Sequence, residues 1–256
     1  MARDAFQKLV HIVEKLRGPQ GCPWDKEQTH ESMKPYLLEE TYEVIESIQK
    51  QDPEKLKEEL GDLLLQIIFH ARLAEEKGEF TLKDVIDHIS EKLIRRHPHV
   101  FGTAHIKTSE EQKKHWEKLK KEEGKTSVLE GVPKTAPALF RAFRVQQKAS
   151  VVGFDWGSKE PVWEKIKEEM QELEKAIASN DIEKIQEEFG DLLFALVNFA
   201  RFIKVHPEEA LHLAIEKFID RFQKVEAVFR EKGKRMEEST LEEMDLVWNA
   251  IKQGKK

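Results

Sequence analysis

The feature that most restricts the possible folds of this 256-residue chain is an internal repeat. The ten residues that begin at Lys55 return 129 positions later, beginning at Lys184, and seven of the ten are identical. At the same offset the pattern Glu-Glu-x-x-Glu occurs first at Glu39 and again at Glu168. Self-similarity at a fixed offset indicates one structural unit present more than once. The sequence therefore predicts a tandem duplication.

The segment between the two copies has the composition of a linker. Residues 122–137 contain two glycines and two prolines and show no sustained apolar periodicity, which is typical of a connecting segment. We predict an N-terminal domain over residues 1–124, a linker over 125–137 and a C-terminal domain over 138–256. Each domain then has about 120 residues, enough for a core of its own.

Both halves carry the signals of helices joined by short loops. Asp52-Pro53 in the first half and Asn180-Asp181 in the second are suited to begin a helix, and strand patterns are scarce. Short connections favour antiparallel packing. The predicted fold class is all-α, with each half a four-helix-bundle-type domain. Residues 63–69 are apolar on nearly every side of their helix, so we expect a second bundle, from the other half or from another chain, to cover them.

Composition excludes several classes of function. The net charge of −6 disfavours a nucleic-acid polymer as the main partner. The longest apolar runs are too short and too interrupted by polar residues to span a membrane. The single cysteine, Cys22, has no intrachain partner, and the N-terminus lacks the apolar segment of a signal peptide. We expect a cytoplasmic protein.

Four acidic residues recur at the same register in each half and predict a metal site. Acids three apart share a helix face, so two such helices folded back on each other aim both pairs at one spot. Carboxylates held that close repel one another and are tolerated mainly when a cation neutralises them. Hard oxygen ligands suit Mg²⁺, with Mn²⁺ as a possible substitute. The predicted ligands are Glu40, Glu43, Glu59 and Asp62 in the first half and Glu169, Glu172, Glu188 and Asp191 in the second.

A solvated helix face is the ordinary explanation for a single pair of this kind. Here the spacing itself recurs, with 15 residues between Glu43 and Glu59 and again between Glu172 and Glu188. Gly61 and Gly190 also lie inside the predicted helices, where glycine is unfavourable. We interpret the two glycines as places where another group approaches the backbone closely.

Cationic and aromatic residues also recur, and each has two interpretations. A lysine and an arginine four apart share a helix face and can contact a phosphate chain, or they can form a solvated surface. A tryptophan near the end of each half can stack on a base or fill a core. These residues are Lys92, Arg96, Lys217, Arg221, Trp116 and Trp248, together with Lys55 and Lys184 beside the acids.

The motifs, in their order and spacing, resemble those of the MazG family of nucleoside triphosphate pyrophosphohydrolases. They are GCPWDKEQTHES over residues 21–32, the Glu-Glu-x-x-Glu pattern at 39–43, EELGD at 58–62 and RRHPHVFG at 95–102. Near the end follow Lys-Phe-x-x-Arg-Phe at 217–222 and Met-Asp-x-x-Trp at 244–248. The resemblance extends over nearly the whole chain.

The resemblance implies an all-α enzyme, usually a homodimer, that cleaves nucleoside triphosphates between the α and β phosphates in a Mg²⁺-dependent reaction. A metal-activated water on the four-carboxylate cluster would give a nucleoside monophosphate and pyrophosphate. Carried over by motif, the ligands are the two sets of acids given above, and both sets are complete. The substrate contacts that the resemblance implies for the second half are Lys184, Lys217, Arg221 and Trp248. The first half keeps Lys92 and Arg96. The residues to which the resemblance gives catalytic roles are Glu172, Glu188, Lys217 and Arg221.

Three alternatives stay open at the level of sequence. One half could hydrolyse inorganic pyrophosphate, because a metal cluster with cationic partners recognises the phosphate chain whatever it carries. The protein could be a non-enzymatic helical interaction module whose acids are surface residues. A di-iron bundle needs paired Glu-x-x-His motifs, and the two that occur, at Glu27 and Glu209, are not at equivalent places in the halves.

Overall fold

The computed structural model describes residues 2–106, 108, 111, 112, 115 and 126–254. Within these ranges the regular structure is helical and contains no β-strand, which confirms the all-α prediction. Trp116 and the last residues of the predicted N-terminal domain lie outside the described residues. No described helix is long and apolar enough to cross a membrane.

The chain divides into two compact units, Met1–Lys107 and Thr108–Lys256. Residues 126–137 are grouped with the second unit, in which the Lys148 ammonium donates hydrogen bonds to the carbonyl oxygens of Val128 and Glu130 at 3.2 and 2.9 Å. The domain boundaries predicted from the sequence stay a prediction.

The first unit is built around a pair of long helices. α3 and α4 pack against each other along their length, and α1 and α5 pack on α4. Val13 of α1 and Met33 of α3 meet Ile68, Phe69 and Leu73 of α4 in the buried core. The helices are α1 (Ala2–Arg17), α2 (Pro23–Glu27), α3 (His30–Lys50), α4 (Pro53–Glu76), α5 (Leu82–Arg96) and α6 (Pro98–Phe101).

The second unit repeats this arrangement of a long helical pair. α8 and α9 pack against each other, α7 packs on α9, and α10 packs on α7 and α11. The Glu208 carboxylate of α10 accepts a hydrogen bond from the Phe140 amide at the start of α7, 3.0 Å away. The helices are α7 (Ala138–Val151), α8 (Lys159–Ser179), α9 (Ile182–Phe202), α10 (Pro207–Glu231) and α11 (Leu241–Lys252).

The turn inside each helical pair has the same geometry in both units. Gln51 and Asn180 end the first helix of each pair in the left-handed backbone region, both with φ near 55°. The next residue, Asp52 or Asp181, caps the second helix by accepting a hydrogen bond from the Lys55 or Lys184 amide. Such side-chain caps satisfy the amide groups that a helix start leaves unpaired. The duplicated turn therefore sets the register of both pairs.

Residues 63–69 are covered on only part of their circumference within the first unit. Ile68 and Phe69 are buried, whereas Ile67 is 44 % exposed. The expectation that a second bundle covers the rest of this segment stays a prediction.

Replacement of Phe69 by alanine should lower the free energy of unfolding of the first unit by about 3–5 kcal/mol, because it leaves a cavity among buried neighbours. Phe69 is 2 % exposed, whereas Phe101 is 61 % exposed and serves as the matched control. Urea denaturation followed by circular dichroism measures both variants. Equal losses in Phe69→Ala and Phe101→Ala would contradict the position of the core.

Candidate metal centre

Three glutamates of the first unit bring carboxylate oxygens together. Glu40 and Glu43 lie one turn apart on α3, and Glu59 lies on α4. Each contributes one oxygen, and the three oxygens lie within 4.8 Å of one another. Glu59 is 1 % exposed, so its carboxylate is held at this place by the surrounding helices rather than by solvent.

The second unit assembles an equivalent group from the repeated positions. Glu169 and Glu172 lie on α8, Glu188 lies on α9, and one oxygen of each again falls within 4.8 Å of the other two. Here the most buried member is Glu169, at 5 % exposure. The structure therefore brings together six of the eight predicted ligands, in two groups of three.

The two predicted aspartate ligands lie beside these groups rather than inside them. Asp62 and Asp191 follow Glu59 and Glu188 by three residues on the same helices. The charge of Asp62 contributes to the raised pKa of Glu40, and the charge of Asp191 contributes to the raised pKa of Glu188. Both aspartates are close enough to act on the groups electrostatically.

Burial and mutual repulsion raise the pKa values of three of these glutamates. Burial, followed by the charges of Asp62, Glu43 and Glu59, raises the pKa of Glu40. The charge of Glu59 is the main cause that raises the pKa of Glu43. Burial and then the charges of Glu172 and Glu169 raise the pKa of Glu188. Each group thus holds more negative charge than its surroundings neutralise.

One lysine partly balances each group, and the two units use different ones. In the first unit the Lys55 ammonium lies 2.5 Å from a Glu59 oxygen. In the second unit Lys165 lies 2.8 Å from Glu169 and 2.7 Å from Glu168. These contacts raise the pKa of both lysines. Lys165 was missed by the sequence analysis because the first unit has Tyr36 at that place, although its position one turn before Glu169 was a usable signal.

Apart from Lys184, which lies on α9 four residues before Glu188, the predicted substrate contacts lie on helices other than those of the carboxylates. Lys92 and Arg96 are on α5, which packs on α4, and Arg96 is buried at 8 % exposure. Lys217 and Arg221 are on α10, whose main packing partners are α7 and α11 rather than the carboxylate helices. The Trp248 ring of α11 lies 5.3 Å from the Phe218 ring of α10. Contacts of these side chains with a nucleotide stay a prediction.

The two helical glycines have open space around them. A Cβ atom placed on Gly61 or Gly190 meets no heavy atom within 4 Å among the described residues. The neighbour that the sequence analysis expected near these glycines is therefore absent from the described chain. A bound molecule or a second copy of the chain would have to supply it.

The residues present fit a hard divalent cation. Three carboxylate oxygens within 4.8 Å of one another are the kind of donor set that Mg²⁺ and Mn²⁺ prefer. Burying Glu59 or Glu169 as an ion is costly unless positive charge compensates it. One lysine per group supplies a single positive charge for three carboxylates. Each group can therefore hold a metal ion, and its chemistry does not by itself choose between Mg²⁺ and Mn²⁺.

Comparison with known proteins accounts for the duplicated site. The MazG nucleotide pyrophosphohydrolase domain is found twice, over residues 28–101 and 158–226. The chain belongs to the MazG family. This result confirms both the resemblance and the predicted tandem duplication. Because the family consists of nucleotide pyrophosphohydrolases, the chain is an enzyme. The alternative of a non-enzymatic interaction module is therefore set aside. Each matched range includes one complete set of four acids.

Two relatives match this chain over nearly its full length, and a third matches about half of it. It is 49 % identical to the nucleoside triphosphate pyrophosphohydrolase/pyrophosphatase MazG of Thermotoga maritima, covering 97 % of this chain and 96 % of the relative. It is 45 % identical to the nucleoside triphosphate pyrophosphohydrolase of Escherichia coli K12, covering 97 % of each. The enzyme of the same name from Mycobacterium tuberculosis is 43 % identical over 56 % of this chain and 44 % of its own length.

Replacement of Glu188 by glutamine should raise the melting temperature of the metal-free protein. Because the folded-state pKa of Glu188 is raised, the folded protein keeps this proton at a pH where the unfolded chain has lost it. Stability is then lost as the pH rises through the folded pKa. The gain in the variant should be largest near pH 7.5 and should vanish near the ordinary glutamate value of 4.5.

Differential scanning fluorimetry in EDTA measures this effect across the pH range. Glu174→Gln, an exposed position on α8, is the matched control and should leave the melting temperature unchanged. A lower melting temperature for Glu188→Gln at pH 7.5 would contradict the repulsion described here.

Proposed function

We propose that the chain hydrolyses nucleoside triphosphates between the α and β phosphates in a Mg²⁺-dependent reaction, with nucleoside monophosphate and pyrophosphate as products. The observation that carries the proposal is the pair of equivalent glutamate groups, each with three carboxylate oxygens within 4.8 Å. The names of the two full-length relatives support the substrate class.

Eight acids would hold the metal in this proposal. When bound, Mg²⁺ supplies positive charge that binds phosphate oxygens and offsets the charge that develops during phosphoryl transfer. The three glutamates of each group have oxygens within 4.8 Å of one another, and the aspartate three residues further along the helix would complete the set. The ligands are Glu40, Glu43, Glu59 and Asp62, and Glu169, Glu172, Glu188 and Asp191.

Proton transfer and charge balance fall to this chain's own side chains. Glu172 and Glu188 lie in the second group, and a carboxylate oxygen of one of them accepts the proton of the attacking water. Lys217 and Arg221 stabilise the negative charge of the departing pyrophosphate. Lys184 and Trp248 contact the substrate in the second unit, as Lys92 and Arg96 do in the first.

A second candidate activity is hydrolysis of inorganic pyrophosphate. The name of the Thermotoga maritima relative, which is 49 % identical, includes pyrophosphatase as well as pyrophosphohydrolase. Each unit of this chain has its own group of three glutamates, so one unit could act on nucleoside triphosphates and the other on pyrophosphate.

A homodimer is the proposed assembly. Several large apolar side chains of α9 are exposed, among them Phe189 at 53 %, Phe194 at 45 % and Leu196 at 43 %. Apolar side chains repeated along one helix lose their contact with water when a second copy covers them. The open space at Gly190, next to Phe189 on α9, is consistent with such close packing.

The products of the reaction test the proposed function. Phosphorus NMR of the protein with nucleoside triphosphates should show monophosphate and pyrophosphate only when Mg²⁺ is present. Asp191→Asn should abolish turnover in the second unit, and the double variant with Asp62→Asn should be inactive while keeping its helical circular dichroism. Asp87→Asn, a control position on α5 whose half-exposed side chain pairs with Lys83, should keep full activity.

Two results would contradict this proposal. Diphosphate and phosphate as products would place the cleavage at another bond. Full activity of the double aspartate variant would show that the proposed metal sites take no part in the reaction.

Replacement of Leu196 by glutamate should convert the dimer into a monomer, because the charge would be buried in the interface. Sedimentation velocity measures the mass of the wild type and the variant at equal concentration. A wild-type protein that sediments as a monomer at every concentration would rule out the dimer.

A further inference from the structure

Two histidines of the first unit share a short contact between α3 and α4. Nδ1 of His30 and Nδ1 of His70 are 2.8 Å apart. Their ring planes are nearly parallel, with centroids 5.1 Å apart and an angle of 7° between the planes. His30 is the first residue of α3, and His70 lies eight residues beyond Asp62 on α4. The contact therefore joins the same two helices that carry the first carboxylate group.

This separation limits how many protons the pair can hold. At 2.8 Å one Nδ1 must donate a proton and the other must accept it, because two N–H groups or two lone pairs would repel. The hydrogen bond therefore survives while at most one of the two imidazoles is charged. When both rings are protonated, both Nδ1 atoms become donors and the bond is lost.

The surroundings of the pair make additional charge costly. Nε2 of His70 is buried and has no hydrogen-bond partner among the described residues, and the same is true of Oε1 of Gln66 one turn earlier on α4. Gln66 is 4 % exposed. A proton added to the pair would therefore place charge where little water can solvate it. Burial is the main cause that lowers the pKa of His70, followed by the charge of His30.

Glu31 of α3 is a charged group beside the pair, and its pKa is lowered mainly by the hydrogen bond from Lys34 and to a smaller extent by the charge of His30. The positions one turn to either side of His70 on α4 are Gln66, Ile67, Leu73 and Ala74. From α1, Arg17 stacks over the Phe69 ring and pairs with Glu76 instead. From α3 the group that faces His70 is His30.

The second unit has no such pair at the repeat-equivalent positions. His30, Gln66 and His70 correspond to Lys159, Ala195 and Phe199. The Phe199 ring packs against Trp163, with centroids 5.0 Å apart. One copy of the duplicated fold thus has an apolar contact where the other has a titratable one.

We propose that His30 and His70 form a pH-sensitive latch between α3 and α4. The latch is closed while the pair holds at most one extra proton, and it opens when both imidazoles are protonated. It belongs to the first unit and is independent of the reaction proposed above. The unfolded chain takes up protons on both histidines below the ordinary value of 6.5, whereas the folded pair resists the second proton. Stability of the first unit is therefore lost as the pH falls below that value.

Hydrogen exchange of the full-length protein tests the latch. Protection of the α4 amides, corrected for the intrinsic pH dependence of exchange, should fall several-fold between about pH 7.5 and pH 5.5. The α9 amides should change less. His70→Phe, which copies Phe199 of the second unit, should remove the pH dependence of α4. His88→Gln, on the exposed part of α5, is the matched control and should keep it.

Nitrogen-15 NMR of the wild-type histidines keeps the proposal testable if His70→Phe does not fold. His70 should stay neutral at a pH where the exposed histidines are already charged, and the shared proton should couple the Nδ1 signals of both rings. Two independent titrations near 6.5 would overturn the latch. Unchanged α4 protection between the two pH values, or pH dependence retained in folded His70→Phe, would overturn it as well.

Discussion

Repulsion between carboxylates is the interaction on which the arrangement of both units depends. Three glutamate oxygens lie within 4.8 Å of one another. Burial and then the charges of neighbouring acids raise the pKa values of Glu40 and Glu188, and the charge of Glu59 is the main cause that raises the pKa of Glu43. A fold keeps such a group only when its helices are held together by other contacts. The buried core at Val13, Ile68 and Phe69 supplies them in the first unit. The remaining charge is what a divalent cation can neutralise.

The short turn inside each helical pair brings the carboxylates together in the same way in both units. A left-handed residue followed by an aspartate cap fixes where α4 and α9 begin relative to α3 and α8. Because 15 residues separate Glu43 from Glu59 and Glu172 from Glu188, the same turn brings the same oxygens together twice. Duplication thus preserves the arrangement of the three glutamates while other positions are free to differ. Two such differences are Lys165, which stands where the first unit has Tyr36, and Phe199, which stands where the first unit has His70.

Local patterns in the sequence were sufficient for the helices, the repeat and the glutamate groups. Spacings of three residues on a helix and caps at its start act over one or two turns, so they can be predicted from a short stretch of chain. The contacts that sequence reasoning missed join residues far apart. The contact between His30 and His70 spans 40 positions, and the burial of Arg96 depends on how whole helices pack. Neither leaves a signal within a single helix.

Electron paramagnetic resonance of Mn²⁺ bound to the full-length protein tests the central claim most directly, because it counts bound ions without requiring turnover. Glu59→Gln should remove the ions of the first unit and Glu188→Gln those of the second, and the double variant should bind none. Loss of the first unit's ions in Glu59→Gln and of the second unit's ions in Glu188→Gln would establish two independent carboxylate sites. A double variant that binds as many ions as the wild type would contradict the account.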